Sequence, residues 1–121
     1  MNSALAAGLA LGLMPAAAAL GQDLVKEKAA VLRALDKLDG SVVELSVPVG
    51  TTVKFRRLSI RVEECVYPRG DIVTGSEVLL EIRDQRDPEP KFRGWMLAES
   101  PALSALDHQR YDVWLTSCTS S

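Results

Sequence analysis

The sequence predicts an all-β domain of about seven short antiparallel strands, folded as a sandwich or small barrel, with one short helical turn near 101–106. Two observations carry this expectation. Apolar and polar residues alternate in segment after segment, most cleanly in Leu58–Glu63, where Leu58, Ile60 and Val62 share one side and Ser59, Arg61 and Glu63 the other. The segments are short, and breaks rich in Gly and Pro separate them, as in antiparallel sandwiches and barrels. With 121 residues, 47% of them hydrophobic, the chain suits one globular domain, and no internal repeat is visible.

The elements follow in order. Ala29–Leu35 is apolar and reads as a strand, because Asp39-Gly40 then makes a hairpin turn into Ser41–Val47. A helix is the competing reading of that run, since Ala and Leu favour one. In Ser41–Val47, Val43, Leu45 and Val47 face one side and Val42, Glu44 and Ser46 the other. Pro48-Val49-Gly50 is a turn, after which Thr51, Val53 and Phe55 share a face. Glu64 breaks the alternation of the next strand just before Cys65, which predicts a bulge. Val66–Gly75 reads as a loop, Ser76–Arg83 as a strand with Val78, Leu80 and Ile82 on one face, and Asp84–Pro90 as a charged loop tip.

Phe92–Cys118 closes the chain and holds both tryptophans, the single histidine, one tyrosine and one cysteine. It reads as a strand (Phe92–Leu97), a Pro-started helical turn, then a strand (Tyr111–Cys118). Large aromatics bury the most area per residue, so the core is expected to form around this stretch. Trp95 and Trp114, however, have the opposite parity from Met96, Val113 and Leu115. Either both pack in the core, or one or both are exposed and mark a partner-binding surface; Trp114 is the expected structural residue and Trp95 the expected partner contact.

Met1–Gly21 contains no Asp, Glu, Lys or Arg. Its apolar run Ala4–Met14, followed by Ala19-Leu20-Gly21, has the form of a secretory signal, although no Lys or Arg precedes the run. The expected layout is a signal peptide over 1–21, a flexible lead-in over 22–28, a single β domain over 29–118 and a tail over 119–121. The expected location is the periplasm, with an uncleaved N-terminal anchor as the alternative; after cleavage no stable membrane insertion is expected. In an exported chain Cys65 and Cys118 have one pairing open to them, and two separate buried thiols are the competing reading.

Charge is balanced, with 14 basic and 16 acidic residues, which argues against nucleic acid. Arg56-Arg57, Arg61 and Arg69 are offset by Glu63, Glu64 and Asp71. The stretches VGTTVKFRRLSIRVEEC and FRGWMLAESPALSALDHQRYDVWLTSC resemble a bacterial family, domain of unknown function 2155. The resemblance rests on Gly50 and Phe55, Leu58 and Ile60 before Cys65, Phe92 with Gly94-Trp95-Met96, Pro101 and Leu103, Asp107-His108, and Tyr111–Leu115 before Cys118. Gln109 stands where the family often has proline, which implies a looser entry to the last strand. The resemblance implies export and an extent of fold covering nearly all of the mature chain. It brings no activity.

Asp107, His108 and Asp112 form the cluster with acid–base potential, a histidine that a neighbouring carboxylate would orient. The bland alternative has Asp107 capping a turn and His108 bonded to backbone at the corner. No nucleophile elbow, Cys-x-x-Cys pair or zinc-ligand spacing accompanies them, and Asp71 with Glu77 lacks the spacing of a calcium loop. No metal or cofactor is therefore expected. Two functions stay open: a non-catalytic binding or envelope-assembly module with an envelope protein as partner, or a small hydrolase or transferase using His108 with Asp107 or Asp112. The first is favoured, because no nucleophile is evident.

Overall fold

In the computed structural model, which describes residues 23–121, the alternating segments become the strands of two antiparallel sheets. The strands are β1 (Leu24–Lys26), β2 (Ala29–Asp36), β3 (Ser41–Pro48), β4 (Thr52–Phe55), β5 (Leu58–Pro68), β6 (Glu77–Asp84), β7 (Phe92–Leu97), β8 (Leu106–Asp107) and β9 (Tyr111–Thr119). Two single helical turns intervene, α1 (Ile72–Gly75) and α2 (Pro101–Ser104). One sheet has the order β1-β5-β6-β7, with β4 also paired to β5; the other has the order β3-β2-β9-β8. The all-β expectation holds.

The inward face of each strand is the one its alternation marks. Ala30, Leu32 and Ala34 of β2, Leu58, Ile60 and Val62 of β5, Val78, Leu80 and Ile82 of β6, and Val113 and Leu115 of β9 are all buried in one core between the sheets. Burial on this scale is the main favourable term of folding. Two bulges then change the phase. In β5 the register against β6 slips between Val62 and Glu64, and in β9 Thr116 is passed over between Leu115 and Ser117. Each slip turns a cysteine that strict alternation would point outward into the interior. Cys65 and Cys118 are bonded there, with Cα atoms 5.7 Å apart, and the bridge ties one sheet to the other.

Several details differ from the expectation, each for a backbone reason. Within the expected lead-in the described residues 23–28 are not simply flexible: Leu24, Val25 and Lys26 pair with Pro68, Tyr67 and Val66. That pairing extends β5 through part of the expected 66–75 loop, and Pro68 is tolerated because it falls at the strand's end. The rest of the loop holds α1, capped by Asp71, whose side chain accepts from the Thr74 N–H. The helical turn stops at Ser104 rather than 106, because Leu106 and Asp107 pair with Val113 and Asp112. Thr119, expected in the tail, belongs to β9 and pairs with Ala29. The short strands β1 and β8 raise the count from seven to nine. The signal-peptide expectation lies outside the described residues.

The tryptophans correct the picture of the core. Trp95 is 42% exposed on the outer face of β7, and Trp114 is half-buried on the outer face of β9, so neither belongs to the core. The buried aromatic of the closing stretch is Tyr111, fully enclosed and edge-on to Phe55 with ring centroids 5.8 Å apart.

Candidate functional site

The turns at one end of the sandwich bring most of the buried charge together. The inward series of β2 and of β6 each end on an aspartate, Asp36 and Asp84, both buried. A buried carboxylate must be paired and hydrogen-bonded to be tolerated. Asp36 takes a two-pronged contact from Arg110, at 3.1 and 2.9 Å, and a further bond from Arg56 at 2.6 Å. Asp84 takes a two-pronged contact from Arg57, at 3.2 and 2.7 Å, and one from His108 Nε2 at 3.0 Å. Arg57 and Arg110 lie over the Tyr111 ring, and the tyrosine hydroxyl accepts from the Arg57 N–H at 3.3 Å.

These contacts set the protonation. Arg110 holds the Asp36 carboxyl well below the usual carboxylate range, and Arg57 does the same for Asp84, in each case against an opposing effect of burial. Asp39 falls to about 2, chiefly through its bond from Arg56. Among the described residues no buried side-chain nitrogen or oxygen lacks a partner. The cluster is a closed set of ion pairs that ties the turns together.

His108 belongs to that set. Its Nδ1 accepts from the Arg110 N–H at 2.9 Å, which places the ring proton on Nε2, donated to Asp84. The lone pair that a general base needs is therefore already occupied. Neither expected acid stands with it. Asp107 and Asp112 are opposite each other across β8 and β9, and the Lys37 ammonium lies 3.2 Å from each. Like charges directly opposite are unfavourable, and Lys37 offsets them, with its own proton held more tightly for that reason, Asp112 foremost. The structure thus does not bring His108 together with Asp107 or Asp112. It joins His108 to Asp84, which the sequence reading left in a loop tip.

Beside this charged end lies an open groove of about 450 Å³, lined by Trp114, Leu106, Pro101, Ala102 and Ala105 together with Asp107 and Asp112. A second hollow of about 420 Å³ shares Leu106 and Asp107 and runs on to Lys91, His108 and Gln109. These volumes fall in the range of ligand clefts. The groove lies where α2 ends after one turn and Leu106 and Asp107 return to pair with β9. Trp95 is far from it in topology, on the outer face of the other sheet, beside Leu79. Among the described residues no group of three or more His, Cys, Asp or Glu gathers as a metal-ligand set.

A disulfide-tied, two-sheet β domain with a tryptophan-lined groove is the class this structure defines. The chain belongs to the family described as uncharacterized protein conserved in bacteria (DUF2155), whose model matches residues 30–118. It is also similar to an uncharacterized protein of Rickettsia prowazekii (strain Madrid E), 25% identical over 88 residues, which are 70% of this chain and 57% of that protein. The chain thus spans little more than half the length of this relative. No solved structure matches. No helix among the described residues is long and apolar enough to cross a membrane.

Proposed function

We propose that the protein is an exported, non-catalytic binding or assembly module of the cell envelope, and that the Trp114 groove is its recognition surface. The observation that carries this reading is the division of labour at the turn end. The titratable groups there are consumed by ion pairs, whereas the adjoining groove is lined by a tryptophan and small apolar residues. A half-buried tryptophan in a concave site is a common anchor for a partner's side chain. Asp107 and Asp112 line the groove and share the single Lys37 ammonium, which leaves a net negative charge there and suits an apolar side chain followed by a basic group. Export is supported by the uncharged leader and by the disulfide, which persists in oxidising compartments.

In-cell photo-crosslinking tests this. A photoreactive residue at Ala102, which lines the groove, is expected to give a discrete adduct that Trp114→Ala abolishes. The same residue at Lys54, exposed on the other sheet, is expected to give none. Equal adducts from both positions would refute the groove as the recognition surface.

A further inference from the structure

Among the described residues β7 is the edge of its sheet, and part of its backbone is unspent. The Ala98 N–H donates to the Ser76 carbonyl at 3.0 Å, which continues the β6–β7 ladder and fixes its phase. In that phase Gly94 and Met96 bond toward β6, while the N–H and C=O groups of Arg93, Trp95 and Leu97 point away from it. At Leu97 the N–H donates to the Ser104 hydroxyl at 2.9 Å, and the same hydroxyl lies 3.4 Å from the Leu97 carbonyl. Among the described residues none covers the backbone groups of Arg93 and Trp95 in this way. An edge with free groups of this kind is a template for another strand.

We propose that this edge pairs with the same edge of a second copy, antiparallel about a two-fold axis at Gly94. In that register Arg93 faces Trp95 of the other copy, twice, and these are the residues whose edge groups are free. Every such group then finds a partner. The side chains agree with the backbone. Arg93 and Trp95 both lie on the outer face, 65% exposed at the Arg93 side chain and 42% at Trp95; the Arg93 guanidinium is held by Glu81 of the neighbouring strand, and its open face can cover the facing indole. A register centred on Arg93 would set arginine against arginine, and one centred on Trp95 would ask Leu97 for bonds that Ser104 holds. At the axis itself the two backbones approach closest, and the residue there is a glycine whose φ of +147° no other residue adopts comfortably. The contact is isologous and closes at two copies.

The interface is smaller than a standard one, so association is weak and is read at about 0.5 mM chain. Sedimentation equilibrium of the full chain, in the form the cell retains it, is expected to give a mass approaching twice that of one chain. Trp95→Lys sets lysine against arginine and is expected to give a monomer with an unchanged melting profile. Trp95→Glu sets glutamate against arginine and is expected to keep the dimer. A monomeric parent, a dimer that survives Trp95→Lys, or a dimer lost equally in both variants would each overturn the proposal. An edge that takes a strand of another protein instead would show as the first of these.

Discussion

Cys65 and Cys118 each stand three residues after the last inward-facing residue of the preceding run, Val62 and Leu115, and each reaches the core through a bulge. An odd offset in a strand of period two means an outward side chain, so the disulfide depends on both bulges. The bridge closes a separation of 53 residues, which in the chain-entropy account stabilises the fold by about 4 kcal/mol.

Removing the bridge is therefore costly. Cys65→Ser is expected to lower the free energy of unfolding by about 2–5 kcal/mol in a denaturant titration. Deleting Thr116 makes the offset from Leu115 to Cys118 even, so β9 runs in regular register with β2 and Cys118 stays inward; the bridge is expected to persist, with both thiols protected from alkylation in the unreduced, denatured protein. A Thr116-deleted chain whose thiols are free would contradict the assignment of the bulge as the device that turns Cys118 inward.

Tyr111 is the aromatic centre of the turn end. Tyr111→Ala is expected to destabilise by about 3–5 kcal/mol, the range for a buried ring. Tyr111→Phe keeps the packing and loses the bond from the Arg57 N–H, for about 1 kcal/mol. Paired chemical denaturation of the two variants checks the ratio.

The paired carboxylates predict the acid response. Asp36, Asp39 and Asp84 all titrate lower in the fold than their ordinary value near 3.8. The unfolded chain therefore binds protons first as pH falls, so their stabilisation is complete above about pH 5 and is lost progressively from pH 4 downward. The melting temperature should be flat in these groups between pH 5 and 7 and fall steeply below 4. Asp84→Asn lowers the plateau and makes the fall shallower.

Much of the fold is legible in the sequence because a period of two is a local signal. Val43, Leu45 and Val47, or Val78, Leu80 and Ile82, declare their face without knowledge of any partner. The bulge near Glu64 was legible for the same reason, as a break in the period. Strands β1 and β8 were not, since their existence depends on what lies beside them: Leu24–Lys26 is extended because β5 runs past it. The site was harder. Asp107 and His108 are neighbours in sequence, and adjacency suggests partnership, but successive residues on an extended backbone point apart. His108 turns to Asp84 and Asp107 to Lys37. A signal for the buried aspartates did exist, since Asp36 and Asp84 continue the inward phase of Ala30, Leu32 and Ala34 and of Val78, Leu80 and Ile82. A charged residue in that phase announces a buried partner. Trp114 misleads in the other direction, because size suggests core whereas parity places it outside.

The central claim is that the charged turn end holds the fold while the groove holds the partner, and His108→Ala beside Trp114→Ala tests it most directly. Each variant is measured twice, by thermal melting and by the adduct from the photoreactive residue at Ala102. His108→Ala leaves the Arg110 N–H and Asp84 short of a partner and is expected to cost about 2 kcal/mol while the adduct persists. Trp114→Ala removes a half-buried ring from an outer face and is expected to cost about 1 kcal/mol while the adduct disappears. The reverse pattern, with the adduct lost on replacing His108 and kept on replacing Trp114, would contradict the account.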